Sequence, residues 1–181
     1  YAGLLFIAIT ALVLSPVLAR IFGRAGWSKD DVRTALFLEA RLPAWKFEAL
    51  IADLSSRFVN LAPDEVDREI VDALRRVCEP LGIDLAVLWQ WSGADPTVIR
   101  PTHAYDAQNA LAHAEPLHHE QYPWVVAQMM AGRTVVIRSM DEMPAEFAVD
   151  RESSRRLGLR SNLTLPLALG GEAPVGGLAF S

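Results

Sequence analysis

The chain has 181 residues, 51% apolar and 22% charged, which is enough apolar material to bury a core; one domain plus an appendage is the natural organisation. Its 17 Lys and Arg against 22 Asp and Glu leave a formal charge of −5, which argues against a nucleic-acid partner, because phosphate contact needs basic side chains clustered on one face. The single cysteine, Cys78, excludes an internal disulfide and an all-cysteine metal cage.

The chain starts at Tyr1 with no charge until Arg20, and the apolar run continues to Phe22. At 1.5 Å per residue it spans about 33 Å against a hydrocarbon core of about 30 Å, so residues 1–23 are expected to form a transmembrane helix. Pro16 is tolerable there and Trp27 suits an interfacial anchor. Arg20, Arg24, Lys29, Arg33 and Arg41 follow the run, which orients the C-terminal side toward the cytoplasm of an inner-membrane protein. Two alternatives stand beside this reading: a signal peptide cleaved after Val17-Leu18-Ala19, and a buried helix of a soluble protein.

Residues 24–48 read as juxtamembrane linker helices, opened by the capping pattern Ser28-Lys29-Asp30-Asp31 and interrupted at Pro43. Phe47, Ile51, Leu54, Phe58 and Leu61 then recur at steps of four and three and form one helical stripe. The stripe suits a signalling helix in a homodimer and equally suits a helix packed on its own domain. Pro63 opens another helix, whose Val66, Ile70, Leu74, Val77 and Leu81 make a core-facing side. Cys78 adjoins that side and reads as a small buried apolar residue, since nothing near it in sequence would activate a thiol.

Leu85 to Trp91 alternates as a first strand, Ser92 to Pro96 turns, and Thr97 to Tyr105 returns, with His103 expected on the same side as Ile99 and Tyr105. Asp106 to His119 has no period. Tyr122-Pro123-Trp124 opens a helix ending near Gly132, Thr134 to Ser139 is a third strand, and Pro144 starts a helix that closes at Gly158. Leu163, Leu165, Leu167 and Leu169 alternate with Asn162, Thr164, Pro166 and Ala168, which puts four leucines on one covered face. Gly170-Gly171-Glu172 turns into a fifth strand, Val175 to Phe180, carrying Gly176 and Gly177.

The run Asp150 to Gly158, D-R-E-S-S-R-R-L-G, together with the strand and glycine turn after it, the Pro-Trp helix start and L-S-S-R-F-V-N-L at Leu54 to Leu61, resembles the GAF domains of bacterial membrane-associated sensor histidine kinases. The resemblance covers residues 49–181 and implies an α+β fold, a GAF-like antiparallel sheet flanked by helices, with the family's last strand and C-terminal helix missing from the chain. It implies a lid over a ligand pocket for Asp106 to His119. It also implies the function of a sensory module relaying ligand or partner binding through helices to an output domain. A kinase parent would use ATP and Mg and would pass phosphate to a response regulator, yet no phosphoacceptor histidine box, ATP-binding box, P-loop or other catalytic motif occurs among these residues. A GAF-containing transcriptional activator and a free-standing GAF enzyme are the rival readings; the second would need several redox cysteines.

Candidate ligand contacts are Trp89, Trp91, His103, Tyr105, Tyr122, Trp124 and Met129, with Met130 beside them, although much of an aromatic set of this kind must be core. Haem contact at His103 is conceivable; no other cofactor and no metal is expected. His113, His118 and His119 could meet around a metal if their loop folded back, but they match no ligand spacing and read more simply as solvated. Asp150, Arg151, Glu152, Arg155 and Arg156 make a charge-rich helical face.

Overall fold

The computed structural model describes residues 44–59, 61–93, 95, 97–108, 116–168 and 173–181. The expected transmembrane helix, the linker up to residue 43, His113 with the middle of the expected lid, and the turn at 170–172 lie outside the described residues. Among those described, no helix is long and apolar enough to cross a membrane. The chain divides into two compact units at the Ile83–Asp84 junction.

The first unit contains α1 (Ala44–Val59), a 3₁₀ turn at Pro63–Glu65 and α2 (Val66–Leu81). In α2 the apolar side is withdrawn from solvent at Val66, Ile70, Ala73, Leu74, Val77, Cys78 and Leu81, as its spacing requires. Burial pushes the Cys78 thiol up to about 12, so this residue is an inert core group. The helix stops at Gly82, which adopts a left-handed conformation at φ 62° while Ile83 N–H donates to the Cys78 carbonyl. α1 packs against α2, where Asp53 pairs with Arg76 and Arg57 with Glu69. The Arg76 hydrogen bond in particular holds the Asp53 carboxyl below its usual range.

Leu54 is completely buried and Phe58 half-buried, while Leu61 lies beyond the end of the helix; the side chains of Phe47 and Ile51 are outside the description. Of the stripe, Leu61 therefore lies off the helix, and Leu54 is buried within the single chain.

The second unit is an antiparallel sheet with flanking helices. β1 (Leu85–Trp91), β2 (Val98–Asp106), β3 (Leu117–His118), β4 (Val135–Ile137), β5 (Asn162–Leu167) and β6 (Gly176–Phe180) lie in the order β3-β2-β1-β6-β5-β4. This is one strand more than the sequence period predicts, because two residues are too few to display a period. Two helices belong to the unit: α3 (Pro123–Met130) and α4 (Ala148–Arg156). The expected helix from Pro144 is broken, since Ala145–Phe147 forms a 3₁₀ turn before α4 begins. α4 ends as expected at Gly158, φ 72°, with Leu159 N–H returning to the Ser154 carbonyl.

Directly opposed residues of antiparallel strands share a face. Trp89 opposes Gly177, which opposes Pro166, and Val87 opposes Ala179, which opposes Thr164. Leu88 opposes Leu178, which opposes Leu165, on the other face. β6 carries glycine where no side chain fits: a Cβ on Gly176 would collide with the Trp89 carbonyl, and one on Gly177 with the Met129 methyl. Met129 and Thr164 therefore identify the face that carries α3.

Alternation puts Leu163 and Leu165 on the covered face, and both are buried. Thr164, on the opposite face, is buried as well at 7% exposure and donates to Asn162 Oδ1 at 2.6 Å, because α3 covers a face for which the alternation leaves room for solvent. Leu165→Ala is expected to cost about 2–5 kcal/mol and Thr164→Ala about 1–2 kcal/mol in denaturant unfolding. A Thr164→Ala variant as stable as the parent would mean that this face is open.

Candidate functional site

The α3-bearing face of the sheet is built from short-range signals. Pro123 fits the first turn of α3, where its missing N–H costs nothing. The free amides after it are taken up from a distance: Asp150 on α4, 1% exposed, accepts from Val125 N–H at 2.9 Å and Trp124 N–H at 3.2 Å. A carboxylate at a helix N-terminus completes the orphan donors and opposes the positive end of the dipole. Tyr122 joins the same knot through a hydrogen bond with Ser154, itself buried. These contacts pin the start of α3 to α4. Its other end lies over the sheet, where Met129 meets Gly177.

Two aromatic groupings result, and they are separate. Trp124 stacks on Phe147 with ring centroids 4.4 Å apart and packs against Val135, Ile137, Met140 and Met143, so it belongs to a structural core. Trp91, at the end of β1, meets His119 edge-to-face, centroids 5.3 Å apart and planes at 75°. Both nitrogens at this contact, Trp91 Nε1 and His119 Nε2, are buried and have no hydrogen-bond partner among the described residues. Unpaired buried polar atoms are rare in folded proteins and call for an explanation.

The seven residues singled out in sequence therefore divide. Trp89 and Trp91 lie on the α3-bearing face, and Tyr122 and Met129 belong to the helical layer over it. Trp124 sits in the neighbouring core. Met130 is half exposed. His103 and Tyr105 are on the opposite face: the register slips between Leu88 and Trp89, so that Trp89 opposes Pro101 but Leu88 opposes His103. Thr102 is the extra residue of this bulge, and its hydroxyl donates to the Leu88 carbonyl at 3.2 Å. A slip of one residue reverses every side chain after it, so His103 is not on the side of Ile99 as simple alternation has it. His103 Nδ1 lies 3.1 Å from the Thr102 hydroxyl.

His119 is the residue that sequence reasoning assigned elsewhere. It follows a strand of two residues, and no period marks it; the available signal was its closeness to the Pro-Trp helix start. Its backbone N–H donates to Thr97 and its carbonyl accepts from Tyr122 N–H, which places the ring beside β1. His118 is exposed, and Gln121 Oε1 accepts its backbone N–H. On the charged face of α4, Arg155 pairs with Asp141 and Arg156 with Glu152, while Arg151 donates to the Met143 carbonyl.

Burial is the main reason that the Tyr122 phenol is pushed up to about 12; the Asp150 charge adds to the rise and the Ser154 bond opposes it. A pKa raised on folding contributes stability that is present below the unfolded value of about 10 and is lost as pH rises through 10 to 12. Absorbance titration at alkaline pH should therefore show a late tyrosine step in the folded chain that Tyr122→Phe diminishes. An undiminished late step in that variant would contradict the burial of the Tyr122 phenol.

No family model matches the chain, and no curated protein matches it. Solved structures do. The phycoerythrobilin-bound GAF domain of a cyanobacterial phytochrome aligns with a TM-score of 0.56 at 13% identity, covering 74% of this chain and 78% of that one. A methyl-accepting chemotaxis protein, residues 122 to 287, aligns with a TM-score of 0.53 at 20% identity over 74% and 82%. The GAF domain region of a predicted membrane protein from Geobacter sulfurreducens aligns with a TM-score of 0.51 at 18% identity over 75% and 79%. At these identities the likeness establishes the fold: it is GAF-like.

Proposed function

We propose that this chain is the sensory module of a membrane-anchored two-component signalling protein, a histidine kinase whose phosphotransfer part lies outside these residues. The observation that carries the sensing half of this reading is the pair of buried, unpartnered ring nitrogens of Trp91 and His119 on the α3-bearing face. The uncharged run from Tyr1 to Ala19 and the arginines after it support the anchor and a cytoplasmic GAF domain at the inner membrane. A small molecule that binds one arrangement of this face better than another shifts the balance between them by its differential affinity. Gly82, Ile83 and Asp84 join α2 to β1, which gives a covalent route from the sheet to the helices before it. ATP, Mg, a homodimeric assembly and a response regulator belong to this proposal through the kinase part.

A transcriptional activator would use the same sensory fold, and the apolar N-terminal run disfavours it. A redox enzyme is disfavoured by the buried thiol of Cys78. Reporter fusions at the C-terminus of the chain test the anchor: activity of a cytoplasmic reporter with membrane retention is expected. Activity confined to an exported reporter, or a chain processed after Ala19, would overturn it.

A further inference from the structure

We draw no further inference here: the strongest candidate, the outer edge of the three-residue strand β4 with the exposed Val136 side chain, carries nothing because nothing in the structure shows what covers it.

Discussion

The buried carboxylate of Asp150 is the interaction on which the helix-bearing half of the sheet domain depends. α3 is only eight residues long, too short to hold itself together by its own hydrogen bonds. Two of its orphan amides are completed by a side chain from α4, and Tyr122 ties the same corner to Ser154. With its start fixed in this way, the helix can place Met129 over Gly177, where a side chain on the strand would prevent the approach. Position, rather than helix propensity, makes α3 part of the fold, and His119, the partner of Trp91, lies just before it in the chain.

The same arrangement divides the labour between the two aromatic groups. Trp124 and Phe147 stack beside Val135, Ile137 and the two buried methionines and provide apolar burial. Trp91 and His119 give up potential hydrogen bonds to lie edge-to-face, which is a poor way to stabilise a core. The two aromatic groups thus differ in kind: one is apolar packing, the other a ring contact whose polar atoms have no partner among the described residues. The charged face of α4 takes no part in this, since its arginines are engaged with Asp141, Glu152 and the Met143 carbonyl.

Much of this was legible in the amino-acid order. Period and punctuation located α2, the long strands, the Pro-Trp start of α3 and the glycine end of α4, because each rests on contacts within a few residues. The bulge at Thr102 was not legible, since one extra residue leaves no compositional mark, yet it moves His103 and Tyr105 to the other face. His119 was misplaced for a related reason: β3 has two residues and its pairing with β2 is settled by tertiary structure. Asp150 read as one charge on a solvated helical face, and the 25-residue separation from Val125 hid its partner.

The central claim, that a carboxylate on α4 holds α3 over the sheet, is tested most directly by amide hydrogen exchange in Asp150→Ala. The account predicts that Trp124 and Val125 lose protection first and that the rest of α3 opens with them, while β1, β5 and β6 keep protection set by the sheet. Unchanged protection at Trp124 and Val125 in a variant that remains folded would contradict it, because α3 would then be held by its apolar contacts alone.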